Sequence, residues 1–523
     1  FFNSRLLYLV VFFFLLIAPS SHVFSQMVEM SLIQKLQESS LVVEAKVINK
    51  QSYWNDSNNR IYTANEIEIY KVFKGQIPSG VYKIITIGGT IGNDRLEVCP
   101  SVQLSIGDIG IFLLESSNAG LSLVNGLKLS VVGEQQGFYR YDEISGKAVS
   151  PFDFDKNILQ LYSELQILNN QNYTQNNPYV FSTKSFSEIG LSPQITGISP
   201  TSLNGGVGDV LTITGTGFGL QSASSIVSLY DADVGPGIFW EDITNFITWN
   251  DTIIQLIVPN VGDNQKTVGS GNVRVQNSSG SNISSQIITI NYTHTNIQNG
   301  ETQLKSDLFG GYVFTFNDVF EATVNGSEDA FKRAIDTWRC ATRVNFMIDL
   351  VNTNINSNAN DGTNIVTFVN NISSLATTYS WYSNCAGNDW YVTEIDIEFL
   401  GLMPWNTDTN LPSAGQADLE SVALHEIGHA HQLGHVRDQN DPLHWSLPFG
   451  QANRNLTQNN INGGLFVRTK SVNTPICNEP AMIAFPACPQ PVSCNVTISN
   501  SPAIVCFGDS SRIYADMSIN GGP

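Results

Sequence analysis

Apolar positions in the first third of the chain keep a two-residue rhythm. Residues 41–48, 61–69 and 110–114 alternate apolar with polar side chains or run apolar between turn residues, the pattern of strands buried on one or both faces. They predict a small β barrel or sandwich over residues 27–165. From 168 to 178 Asn and Gln replace the rhythm, which predicts a linker at residues 166–191. Short apolar runs resume at 193–200, 211–219, 247–259 and 271–277 between glycine turns, and predict a second β unit at residues 192–293. Its glycines are turn residues and not a phosphate loop, because no helix opening on a Lys-Ser/Thr pair follows. The rhythm changes at Asp418. A helix from there to about His431 puts His425 and His429 four residues apart on one face.

That spacing carries chemistry. Both imidazoles can reach one metal ion, and a chain that turns after His431 returns His435 as a third ligand from the far side. Three neutral imidazoles leave the fourth tetrahedral position open to water, which distinguishes a catalytic zinc from a structural one. Glu426, beside the first ligand, stands where it can take that water's proton. His431 points off the ligand face and is read as a surface or helix-capping residue. With only 7 His among 523 residues, three at this spacing beside a glutamate are not a chance grouping.

Composition narrows the class. The length allows three or four domains, and a net charge of −20 with only 14% charged residues describes an acidic, Asn/Ser/Thr-rich surface without the basic face that nucleic acid needs. Arg5, an apolar run over residues 6–18 and Val23-Phe24-Ser25 before Gln26 predict a signal peptide at residues 1–25. The run falls short of the ~20 residues that span a bilayer, and no later segment is long and apolar enough. The chain opens without Met, as expected of a piece of a longer protein. In an exported chain, 7 cysteines predict disulfides and one left over. Proximity in sequence suggests Cys340–Cys385, Cys477–Cys488 and Cys494–Cys506, leaving Cys99.

The stretch His425-Glu426-Ile427-Gly428-His429 followed by His435 resembles the zinc signature of the metzincin metalloproteases, and residues 300–470 look most like the matrixin branch. The resemblance implies a first long helix at residues 331–338 with a strand after it at 344–346. It also implies a cleft-edge strand at 376–381 that holds substrate as an added strand, the next strand at 394–399, and a last helix starting within 454–463. Gln432 stands where the family has a turn glycine, and a non-glycine residue at positive φ costs about 1–2 kcal/mol. At the family's methionine turn this chain has Leu443, an apolar stand-in, with Met482 as the alternative; His444 is read as a turn residue. Matrixins can be kept latent by a propeptide thiolate on the zinc; Cys99 could act so, but the latency motif is absent and a buried or unpaired structural thiol is favoured. Residues 192–293 resemble an IPT/TIG domain.

The expected fold is therefore multidomain: all-β modules, first the small barrel or sandwich and then the Ig-like IPT/TIG sandwich, followed by an α/β metzincin-like catalytic domain. A cysteine-bounded extension at 471–488 and the start of a further Ig-like module at 489–523 complete it. The expected function is a secreted zinc endopeptidase acting on protein or peptide substrates, with metal ligands His425, His429 and His435, Glu426 as the catalytic base, and a structural Ca2+ as a second candidate cation. The Ig-like modules offer a surface for a cell-surface or extracellular-matrix ligand. The alternative is an adhesin whose zinc domain has lost activity.

Overall fold

The computed structural model describes residues 29–142, 145–179, 191–233, 243, 246–260, 267–298, 300–307, 309–385, 387 and 389–488. The expected signal peptide and the expected last module, with Cys494 and Cys506, lie outside them. The described residues are mostly β, in several sheets with few helices.

The first unit begins with α1 (Leu32–Glu38) and continues through β1 (Leu41–Trp54), β2 (Ile61–Lys74), β3 (Tyr82–Ile87), β4 (Gly89–Ile91), β5 (Asp94–Cys99), β6 (Ile109–Ser116), β7 (Leu127–Val131), β8 (Phe138–Asp142), β9 (Lys147–Ser150) and β10 (Asp153–Asn157). Five of these close a ring: β1 pairs with β2, β2 with β3, β3 with β7, β7 with β6, and β6 returns to β1. The result is a small barrel. Val43, Ala45 and Val47 point inward to meet Ile67, Phe112 and Leu129. The intervening Val42, Ile111 and Leu113 point outward and are covered by Ile158, Leu161 and Leu165 of α2 (Ile158–Asn169). Burial on both faces explains why residues 110–114 read as an unbroken apolar run.

The linker starts later than residue 166. α2 continues through Asn169, and β11 (Thr174–Gln175) pairs with β2. The amides that suggested a linker bond to the barrel instead: Asn169 and Gln171 donate to the Phe73 carbonyl, and Asn176 and Asn177 to that of Ile69.

The second unit packs two sheets face to face. β12 (Gln194–Ser199), β14 (Val210–Thr216), β16 (Thr248–Trp249) and β17 (Ile253–Ile257) form one; β13 (Ser202–Gly205), β15 (Ile226–Asp231), β18 (Val268–Asn277) and β19 (Gly280–Thr293) form the other. Leu211, Ile213 and Leu256 from the first meet Val227, Val273 and Ile288 from the second in one core. A short hairpin of β20 (Asn296–Ile297) and β21 (Gly300–Glu301) leads on to the third unit.

There, β22 (Tyr312–Phe316), β23 (Phe346–Ile348), β24 (Asn364–Val369) and β26 (Trp390–Leu400) run parallel, and β25 (Ala376–Asn384) is antiparallel to β26. After α3 (Phe320–Thr323) comes α4 (Ser327–Thr342), which buries Ala330, Phe331, Ala334, Ile335 and Trp338 along one stripe. α5 (Leu419–Ala430) is buried on every side and packs on α4, while α6 (Gln458–Asn473) lies against α4 and β19.

Two expectations are corrected here. The edge of β25 is not open, because β5 of the barrel unit adds to it as an antiparallel neighbour, with β4 outside. The disulfides are Cys340–Cys488 and Cys385–Cys477, with Cα separations of 5.3 and 5.4 Å. Sequence proximity misleads because the tail folds back: Ser306 donates to Pro480 O, Ile483 to Gly310 O and Phe485 to Arg343 O, which returns Cys488 to the end of α4.

Candidate metal centre

α5 is placed by its first residue cap and by burial. The Asp418 carboxylate accepts the Ser421 N–H at 3.0 Å and also binds the Arg454 guanidinium, so it caps the helix N-terminus and ties it to the chain before α6. His425 and His429 then project from one face. His431 projects from the other and is buried, not surface-exposed, its ring centroid 4.3 Å from that of Trp338 at a 31° tilt while it caps the helix C-terminus. The chain turns at Gln432, whose φ of +66° lies in the left-handed region, and brings His435 back beside the pair.

Each of the three imidazoles has its Nδ1 committed. His425 Nδ1 lies 2.7 Å from Pro442 O, His429 Nδ1 lies 2.9 Å from Leu433 O, and His435 Nδ1 lies 2.7 Å from Asp233 Oδ1. Carbonyls and carboxylates only accept, so Nδ1 carries the proton in each ring and Nε2 is left as a bare lone pair. The Nε2 atoms of His425 and His429 face each other at 2.8 Å. Two acceptors that close, with no proton to share, call for a cation between them. Burial supports the same state: it pulls His429 and His435 down to about 3 and His425 well below the ordinary imidazole range, so all three rings are neutral.

A sulfur completes the set. Cys99 Sγ lies 3.4 Å from His429 Nε2 and 3.8 Å from His435 Nε2. Among the described residues, Cys99, His429 and His435 form the group of donors close enough together to hold a metal ion. Cys99 forms no disulfide, as expected of the odd cysteine, and its sulfur faces two of these imidazoles. Strand register explains its position: β5 pairs Cys99 with Thr378 of β25, and directly opposed residues share one face of a sheet. Thr378 in turn donates its hydroxyl to Glu426 Oε2 at 2.6 Å. Burial pushes the fully enclosed Glu426 carboxyl up to about 8, against that hydrogen bond. Burial first, then the nearby carboxylates, push the Cys99 thiol well above its usual range, so without a cation the sulfur keeps its proton. A bound metal reverses that preference.

Residues 314–464 match the matrixin family. No curated protein matches the chain. The matched stretch covers β22 to the first half of α6 and contains His425, Glu426, His429 and His435; Cys99 and Asp233 lie outside it.

Beneath the matrixin-like site, Leu443 is fully buried, and a Cβ added to Gly428 would come within 2.3 Å of its Cδ2. Met482 is also buried, but lies in the tail where its N–H bonds to Ser471 O. His444 sits in the turn, with Nδ1 2.8 Å from Ser446 O. The Gln432 amide oxygen accepts the Tyr382 hydroxyl at 2.6 Å, which anchors the strained turn to β25. Glu394, Asp396 and Glu398 of β26, the densest acidic cluster nearby, accept backbone N–H groups of residues 358–365. Sequence reasoning missed Asp233 and Thr378, since neither lies in a motif and only tertiary contact gives them a role.

Proposed function

We propose that the chain is a secreted zinc-dependent endopeptidase held in a latent form. His425, His429 and His435 would hold the metal with Cys99 as a further donor, and Glu426 would serve as the general base. One observation carries this reading: with every Nδ1 committed, His429 and His435 turn Nε2 toward a thiol from another unit, while His425 Nε2 faces His429 Nε2 at 2.8 Å. Zinc held there would supply a Lewis acid that polarises a peptide carbonyl and acidifies water.

The protein's own groups do the rest. Glu426, steadied by Thr378, takes a proton from the attacking water and passes it to the leaving amine. β25 binds the substrate backbone as an added strand, in the position that β5 now fills. Latency follows from that overlap, since β5 and a substrate need the same N–H and C=O groups. Leu96 and Val98 pack with Tyr379 and Trp381, Trp54 stacks on Trp381 at 6.0 Å, and Arg60 donates to Asn358 O. Four such buried side chains contribute roughly 6–12 kcal/mol at about 1.5–3 kcal/mol each, enough to keep β5 seated until the barrel unit is cut away. The apolar run at residues 6–18 and the disulfides support an extracellular location. No described helix is long and apolar enough to cross a membrane.

The test is metal analysis of the full chain with protein degradation after limited proteolysis of the barrel unit. About one zinc per chain is expected, and Glu426→Gln should keep it while losing activity on the order of 10²–10⁴-fold. A zinc-free chain, or near-normal turnover by the variant, would overturn the proposal.

A further inference from the structure

The third imidazole is held by a different unit from the other two. His425 and His429 are oriented by carbonyls of the matrixin-like stretch, whereas His435 Nδ1 lies 2.7 Å from Asp233, which follows β15 of the two-sheet unit. The Asp233 carboxylate is itself fixed, since its Oδ2 accepts the Thr267 N–H at 2.7 Å. The return loop is pinned along its length by the same unit. Thr295 donates to Gln432 O at 2.9 Å, Gly434 to Thr293 O at 3.2 Å, and Arg437 to Ser270 O at 2.7 Å, with its guanidinium 4.5 Å over the Tyr230 ring. Contact is so close that a Cβ at Gly434 would lie 2.5 Å from Thr293 Oγ1 and 2.8 Å from Thr267 Cγ2. Only glycine permits it.

We infer that the two-sheet unit is a working part of the metal centre, and that Asp233 is the positioning residue that turns the His435 Nε2 lone pair toward the ion. A carboxylate on the far nitrogen fixes the ring's tautomer and orientation and strengthens its donor atom, an arrangement whose loss typically weakens metal binding 10–100-fold. The two-sheet unit is therefore no detachable spacer. The inference rests on the zinc reading above.

The experiment measures zinc affinity of the full chain by competition with a chromogenic chelator, for the wild type, Asp233→Ala, Asp233→Asn, His435→Ala and the Asp233→Ala/His435→Ala pair. Asp233→Ala should bind zinc about 10–100-fold more weakly. Asp233→Asn, which keeps an accepting oxygen, should recover part of the loss. In the His435→Ala background, Asp233→Ala should cost nothing further, because its effect passes through that ring; a merely structural loosening would cost the same in both backgrounds. Wild-type affinity in Asp233→Ala, or equal losses with and without His435, would overturn this inference alone. A wild-type chain that binds no zinc would overturn the zinc reading with it.

Discussion

Gly428 and Leu443 press against each other beneath the metal centre, and distances give the size of their coupling. A Cβ at position 428 would stand 2.3 Å from Leu443 Cδ2, whereas carbon pairs rest at about 3.5–4.0 Å, so the leucine would have to retreat by roughly 1 Å or more. The preceding residue, Pro442, supplies the carbonyl 2.7 Å from His425 Nδ1, so the retreat reaches the first imidazole. Gly428→Ala should cost about 1–3 kcal/mol by overpacking, offset by about 1 kcal/mol of helix propensity, and should speed zinc release. Leu443→Ala should cost about 2–5 kcal/mol. In the double variant the new methyl enters space the leucine has left, so the clash with Leu443 disappears, the closer contact with Trp338 Cζ2 at 3.2 Å stays, and most of the propensity gain remains. The pair should then be more stable than Leu443→Ala alone, by up to about 1 kcal/mol. Leu443→Met and Met482→Leu, which conserve volume, should change zinc retention little. Chemical denaturation and chelator-driven zinc release of the four cycle members measure this. Free energies that simply add would refute it, and a Met482→Ala variant that sheds zinc beside a tolerant Leu443 would move the support to the tail.

Two further outcomes are expected. Cys99→Ala in the full chain should keep zinc and admit a small hydroxamate to it, while degradation of proteins still waits for β5 to leave β25; loss of zinc, or hydroxamate binding no tighter than wild type, would show that the thiol is not a displaceable fourth donor. Gln432→Gly relieves about 1–2 kcal/mol of left-handed strain but removes an amide oxygen that accepts the Tyr382 and Thr302 hydroxyls, worth about 1 kcal/mol each. Thermal denaturation should therefore move by no more than about 1 kcal/mol, and a loss above ~3 kcal/mol would mean the amide supports more than the turn.

Local pattern was sufficient for much that depends on neighbours in the chain, though not for α1 and α2 within the β-rich first unit. The alternation in β1 and β2, the apolar run of β6, and the helix that sets His425 and His429 on one face are consequences of two- and 3.6-residue periods, which any short window displays. The positive φ at Gln432 was implied by the resemblance, which places a turn glycine there. What tertiary structure decided are contacts between residues far apart, for which no periodicity exists. Cys99 lies 330 residues from His429, and only the β5–β25 register brings it to the metal centre. Asp233 lies 202 residues from His435 and stands after a strand like any turn aspartate. The disulfides followed the path of the tail over Gly310 and Arg343 rather than nearness in sequence. The Asn/Gln run looked like free linker because amide side chains show only that they will hydrogen-bond, and the Ile69 and Phe73 carbonyls of β2 determined with what.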